Sequence, residues 1–341
     1  MLTGRKKTIL NLIVKDYIDE VTPIASEAIA RKHGLGVSPA TIRNDVADLE
    51  QEGYITRPYP SAGSVPADMG YRVYVETAVS ERQNQIPPGI RDSIRNQLIE
   101  VEPDVDEWAN VAAAALAGLV GNMAIATFPK ARESRVKHIE LVYLRDFLAL
   151  MIVVLEQARI RRQLIRTKVP ASSEDLQMSA NKMNAMIQGL TRREIESKQL
   201  ALSPFEEELV SAAVIMLRDE DRAEYLGHYV DGLRNLLGQP EFAEKDKVRA
   251  VVGGVEDGSL THAILDEVPD TGVVRVIIGQ ENRGDMLWPL SVVIGRYGIS
   301  GVASGAVGAV GPVRMEYTKT IDGVELMSSV MSELVEGVHS R

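Results

Sequence analysis

The 341-residue sequence predicts a multidomain α+β protein: an N-terminal winged helix-turn-helix, then an α+β domain that a helical segment interrupts. Three observations carry this. A short helix with explicit start and stop signals spans residues 38–53, and two other helical patterns precede it across a glycine turn. A β-prone run and a proline- and glycine-rich loop come next, as the hairpin of a wing would. Beyond residue 105, strand patterns lie on both sides of a block of helical periodicity at 172–240.

The first helix, over residues 5–20, sets Ile9, Leu10, Ile13, Val14 and Tyr17 on one stripe, and Thr22-Pro23 breaks it. A second, from Ser26, carries Ala28 and Ile29 and stops at Gly34 and Gly36. The third begins at Ser38, whose hydroxyl can cap free N–H groups, with Pro39 at a first helical position that leaves no N–H unsatisfied. Gly53 ends it in the left-handed conformation. Ile42, Val46 and Leu49 share a face that must be buried, while Ala40, Arg43, Asn44 and Ala47 project the opposite way. Alone, this is also an ordinary amphipathic helix with a solvated face. Behind two helices and before a hairpin, it reads as the recognition helix of a DNA-binding unit. There, Asn44 can pair bidentately with adenine and Arg43 with guanine, and small Ala40 lets the helix approach the major groove. Ser38 and Thr41 are candidates for phosphate or base contacts. The wing runs through Tyr54-Ile55-Thr56-Arg57 and the loop 58–66, where Arg57, Tyr59 and Ser61 are candidates for phosphate or sugar contacts.

The run Ser38-Pro39-Ala40-Thr41-Ile42-Arg43-Asn44, followed by Leu49-Glu50 and Gly53-Tyr54-Ile55, resembles the recognition region of the HrcA family of bacterial heat-inducible repressors. Pro58 to Pro66 resembles that family's wing, and Gly70-Tyr71-Arg72-Val73-Tyr74-Val75 the helix after it. Further blocks follow in order: Gly232-Leu233-Arg234-Asn235-Leu236-Leu237 with Pro240-Glu241-Phe242, then Gly279-Gln280-Glu281-Asn282, then Gly308 to Tyr317. The chain departs from the family pattern in two places. Tyr59-Pro60 and Ser64 stand where the wing usually has His-Thr and Arg, and Val21-Thr22-Pro23-Ile24-Ala25-Ser26 replaces a Gly-Glu-Pro-Val-Gly-Ser turn. The resemblance implies a GAF-like α+β domain with a dimerising insertion. With it the organisation reads as a winged helix-turn-helix at 1–75, a connector at 76–104, a discontinuous GAF-like domain at 105–171 and 241–341, and an inserted helical dimerisation domain at 172–240. It also implies a homodimer on an inverted-repeat operator in double-stranded DNA upstream of chaperone operons, inactivated by heat and maintained with help from the chaperonin.

Composition bounds the rest. The chain has 45% hydrophobic and 25% charged residues, as a globular protein would. It contains no cysteine, which excludes disulfides, thiol catalysis and thiolate metal sites. Five scattered histidines show no metal-ligand spacing and no serine sits in a nucleophile elbow, so neither an enzyme nor a cofactor is expected. The charged first helix is no secretion signal, and residues 108–128, though largely apolar, are mostly Ala and Gly with Asn110, Asn122 and Thr127 among them. A buried helix running into a strand fits better than a membrane span, and a cytoplasmic protein is expected. The net charge of −10 is unusual for a DNA-binding protein. Residues 1–75 hold nine Lys or Arg against nine Asp or Glu, so attraction to phosphate depends on where Arg5, Lys6, Lys7, Arg43, Arg57 and Arg72 are placed.

After a small helix with Ile90, Ile94 and Leu98 comes the Ala-rich helix, then strands at 136–144, 147–155 and 159–167. Within 172–240, Leu176, Ala180, Met183, Ile187 and Leu190 repeat at four-three spacing, either as a subunit seam or as core. Phe205, Leu209, Ala212 and Met216 mark another helix, on which Glu206-Glu207-Glu208 read as exposed. Arg159, Arg161, Arg162, Arg166 and Lys168 suggest either an anion site or a charged strand edge, with the edge preferred. Two helical stretches lie around 243–266, strands return at 273–278 and 291–296, and a long helix closes the chain over 312–336. Glycines 298, 301, 305, 308 and 311 lack the Lys-Ser/Thr of a phosphate loop and read as a small-residue strand and turn. The rival to the repressor reading is a metabolite sensor whose GAF-like domain binds a small molecule; saturable thermal stabilisation by a metabolite would mark it.

Overall fold

A computed structural model describes residues 2–81, 86–87, 89–101, 105–131, 133–156, 160–222, 227–269, 274–299 and 302–339. The chain opens with α1 (Gly4–Glu20), α2 (Ser26–His33) and α3 (Pro39–Gln51), then the hairpin β1 (Ile55–Thr56) and β2 (Val65–Pro66) and the helix α4 (Asp68–Glu81). Next come α5 (Ile90–Glu100), α6 (Val105–Val120), β3 (Met123–Thr127), β4 (Lys130–Ala131), β5 (Val136–Arg145), β6 (Leu148–Leu155) and β7 (Ile160–Arg166). Helices α7 (Ser173–Ile187), α8 (Arg192–Ser197) and α9 (Pro204–Arg222) follow, then β8 (His228–Asp231), α10 (Leu233–Leu237), α11 (Lys245–Glu256) and α12 (Ser259–Leu265). The chain closes with β9 (Arg275–Ile278), β10 (Leu290–Ile299), β11 (Ala303–Pro312) and α13 (Tyr317–His339). The last helix therefore starts later than expected, because residues 303–312 are committed to β11.

These elements divide into two units. The first holds residues 1–128, 228–298 and 305–341; the second holds 129–227 and 299–304. The expected insertion at 172–240 is thus displaced at both ends. Strands β5, β6 and β7, expected in the GAF-like domain, form their own antiparallel sheet and share one core with α7 and α9. At the other end, β8 leaves the insertion because it pairs with β3, Ala124 opposite Asp231. Such a pairing across a hundred residues has no local sequence signature.

In the first unit, a sheet runs in the order β8-β3-β11-β10-β9, with β8–β3, β3–β11 and β10–β9 paired antiparallel. Helix α6 lies against β3 and β8, with Trp108, Ala109, Ala112, Ala113, Leu116 and Ala117 buried, and α13 packs beside it. Among the described residues no helix is long and apolar enough to cross a membrane. Close approach explains the glycines of β11: a Cβ on Gly305 would lie 2.5 Å from the Tyr297 ring, whose hydroxyl donates to the Thr127 carbonyl at 2.6 Å. Gly301 falls outside the described residues.

In the second unit, Leu176, Ala180, Met183 and Ile187 are buried against the inner face of the β5-β6-β7 sheet, so the four-three repeat is core rather than a subunit seam. Glu206 is buried too, against expectation. In the first turn of α9 its carboxylate accepts the Ser203 N–H at 2.8 Å and pairs with Lys182 Nζ at 2.7 Å.

One backbone feature stands apart. Val21, where the family turn has glycine, caps α1 in the left-handed region at φ 56°, its N–H bonded to the Tyr17 carbonyl at 3.0 Å. It is the one non-glycine residue with positive φ among those described. A β-branched side chain there is strained by about 1–2 kcal/mol. Val21→Gly is expected to stabilise the protein by about 1 kcal/mol after the extra chain entropy of glycine is allowed for, read as a higher midpoint in urea unfolding. A lower midpoint would refute the strain.

Candidate DNA-binding site

The reading helix α3 is held by its inner face. Ile42, Val46 and Leu49 are buried against Ile9, Leu10, Ile13 and Val14 of α1 and Ile29 of α2, a helix-turn-helix core. Its start is built as the sequence implies: Ser38 Oγ accepts the Thr41 N–H at 3.1 Å, and the Ser38 and Thr41 hydroxyls lie 2.9 Å apart. These two hydroxyls therefore hold each other. Ala40, Arg43, Asn44 and Ala47 are exposed on the opposite side, as the wheel requires.

The wing is fixed to the same scaffold. Thr56 pairs with Val65 across the hairpin, and Ser64 exchanges both backbone hydrogen bonds with Ile24 at 2.8 and 2.9 Å, which adds a third strand position. Gly63 is required there, since a Cβ would lie 2.6 Å from backbone carbons of Pro23 and Ile24. Ser64, in place of the family arginine, is buried, whereas Tyr59 at 60% exposure and Ser61 stand free at the wing tip. Arg57 does not: its Nε lies 3.1 Å from Glu50 Oε2, so the guanidinium turns back onto α3.

The balance of nine cations and nine carboxylates has a physical counterpart. Arg43 Nη2 bonds Glu27 Oε1 at 3.0 Å. Arg5 straddles Asp45, with Nε–Oδ2 at 2.7 Å and Nη2–Oδ1 at 3.1 Å. Lys6 Nζ lies 2.9 Å from Asp48 and 3.0 Å from Glu52. Arg72, expected near phosphate, instead pairs with Glu281 of the C-terminal domain. Five of the six cations named from sequence thus already hold a carboxylate. Glu27 and Asp45 were not singled out by motif; the neutral charge count was the signal that such partners exist.

A buried carboxylate ties α1 to α2. Asp16 lies 2.8 Å from both Lys32 Nζ and His33 Nε2, just before the Gly34–Gly36 turn into α3. Burial pushes the Asp16 carboxyl up, but the Lys32 and His33 hydrogen bonds outweigh it and hold it below the ordinary aspartate range. Its stabilisation is therefore complete above the unfolded carboxyl's value and fades as pH falls through the folded one. In the basic cluster of the second unit, Arg161 pairs with Glu220 and Lys168 with Glu208, while Arg159 lies outside the described residues. β7 is an edge strand, in keeping with the charged-edge reading.

Comparison with known proteins agrees with this geometry. Residues 27–66 match a DeoR-like helix-turn-helix domain, and residues 106–321 match the HrcA protein C-terminal domain. The chain is 39% identical over its full length to the heat-inducible transcription repressor HrcA of Dehalococcoides mccartyi, covering 98% of that protein. It is 34% identical over 99% of its length to the repressor of the same name from Chloroflexus aggregans, covering 94% of it. A solved structure described as a hypothetical protein at 2.2 Å resolution superposes over 99% of both chains with a TM-score of 0.63 at 20% identity, which shows a shared fold. With the C-terminal domain matched over 106–321 and relatives aligned end to end, the chain belongs to the HrcA family of heat-inducible transcription repressors.

Proposed function

We propose that this chain is a cytoplasmic repressor of chaperone operons that binds an inverted-repeat operator as a homodimer and loses activity on heating. The observation that carries the DNA reading is the exposed Arg43–Asn44 face on a helix whose other face is locked into the core. Ser38, Ala40 and Thr41 flank it and Tyr59 and Ser61 extend it at the wing tip; Arg57 joins them only by leaving Glu50. Specific contact would exchange Glu27 for a base edge at Arg43.

Support for the homodimer comes from β6. Its residues Leu148–Leu155 are apolar on both faces, the pattern of a strand lying between two layers. One face meets α7 and α9. The other carries rows of Val142, Leu150 and Leu164 and of His138, Val154 and Ile160, with Glu140, Ile152 and Arg162 between them, and Leu164 is 58% and Ile160 63% exposed. A second copy, meeting it across a two-fold axis, would supply the missing layer. The same surface, exposed in a lone subunit, is of the kind a chaperonin captures. Chaperonin assistance and a GAF-like character for the C-terminal domain rest on the HrcA likeness.

The test is selection from a randomised duplex library by the purified chain, followed by gel-shift titration of the recovered sequence at several salt concentrations. Recovery of an inverted repeat is expected, with affinity falling linearly in log salt. Recovery of no common sequence would refute specific DNA binding. Leu164→Glu is expected to give a monomer by sedimentation and to weaken binding to the full repeat at least tenfold while leaving half-site binding intact. A dimer that tolerates this change would move the interface elsewhere.

A further inference from the structure

Helix α4 joins the wing to the C-terminal α+β domain with polar, directional contacts. At its start, the Ala67 N–H bonds the Tyr54 carbonyl at 3.0 Å, and a Cβ on Gly70 would strike that carbonyl, so α4 moves with the wing. From its other side, Asp68 Oδ2 accepts the Gln280 backbone N–H at 2.9 Å. Arg72 donates from Nε to Glu281 Oε1 at 2.8 Å and from Nη2 to the Val276 carbonyl at 2.8 Å, and Nη2 also meets the second Glu281 oxygen. That oxygen accepts the Ile278 N–H at 2.9 Å, which holds the carboxylate in place from behind. Gly279, at φ 52°, leaves room for the Asp68 carboxylate where any Cβ would collide with it. Between the two polar contacts, Tyr71 and Tyr317 are buried with ring centroids 6.0 Å apart, and the Tyr317 hydroxyl lies 2.8 Å from Ser291 Oγ.

Two features separate this joint from ordinary packing. Two of its bonds, from the Gln280 N–H to Asp68 and from Arg72 to the Val276 carbonyl, end on backbone groups of β9 and the turn after it, so they define an angle as well as an attraction. They also bring together 68–72 and 276–281, segments about 200 residues apart in the chain. We propose that Asp68, Arg72 and Glu281 are positioning residues that fix the direction of the reading head on the C-terminal α+β domain, and that this narrows the range of half-site spacings the dimer accepts. This rests on the DNA-binding homodimer proposed above. Each added base pair turns one half-site by about 35° relative to the other. A rigid head therefore accepts one spacing, and a loosened head accepts several at lower affinity because ordering it becomes part of binding.

The experiment uses the full chain and the duplex recovered by selection, with its half-sites moved apart or together one base pair at a time across a helical turn. A single half-site serves as control. Wild type is expected to show one sharp optimum. Glu281→Gln, which keeps the shape and loses the charge, is expected to flatten the profile, with roughly tenfold weaker binding at the optimum and unchanged half-site binding. Asp68→Asn, which weakens a single bond and leaves the fold readable by its melting temperature, should flatten it partway. An unchanged sharp optimum in both variants overturns the inference and leaves the repressor reading standing. A wild type indifferent to spacing overturns both.

Discussion

Replacing Arg43 and Asn44 together by alanine is expected to erase the preference of this protein for its selected duplex over random DNA. Two bidentate base contacts are worth about 1–3 kcal/mol each, so the pair accounts for about 2–6 kcal/mol of discrimination. Fold stability should barely change. Both side chains are exposed, and the lost Arg43–Glu27 pair is a solvated one of negligible stabilising value. Competition gel shifts against random duplex give the discrimination, and thermal melting gives the control. The single variants are informative in different ways. Asn44→Ala should relax preference at one base position. Arg43→Ala should do the same at another and leave the Glu27 carboxylate without its partner. Retained discrimination in the double variant would remove α3 from the reading role.

The second large effect is expected from Trp108, which sits 1% exposed where α6 crosses the sheet of the first unit. The buried residues that follow it along α6 are mostly alanines, Ala109, Ala112, Ala113 and Ala117, whose small side chains bring the helix close but cannot swing in to fill a void. Trp108→Ala should therefore cost about 3–5 kcal/mol, near the upper end for core truncations. The indole Nε1 is buried without a hydrogen-bond partner. Trp108→Phe removes that unpaired donor along with some volume, so the two changes offset and the loss should be about 1 kcal/mol or less. Urea unfolding of both variants checks this. Equal losses would mean that the cavity is not what matters.

The winged helix-turn-helix was legible because its signals are local. A serine cap, Pro39, the glycines at 34, 36 and 53 and a three-to-four periodicity all lie within a few residues of what they determine. The second unit was readable element by element but not in its boundaries. Nothing near Lys130 or His228 announces that β8 pairs with β3 while β5, β6 and β7 stay together. The same limit applies to charge. Arg57 and Arg72 look alike in sequence, yet one turns onto Glu50, seven residues away, and the other onto Glu281, which only the assembled fold supplies. Conversely, the continuous apolar run of β6 held more than an element assignment, since a strand greasy on both sides asks for two coverings.

The left-handed Val21 has a consequence for how such a protein could be adjusted to its surroundings. It lies at the C-terminal end of α1, apart from the exposed face of α3 proposed to read DNA. Exchanging one small residue for another at this corner would move the thermal set-point while leaving operator vocabulary untouched. A lineage could thus retune the temperature of its alarm by substitution at a single helix cap, without renegotiating which genes answer it.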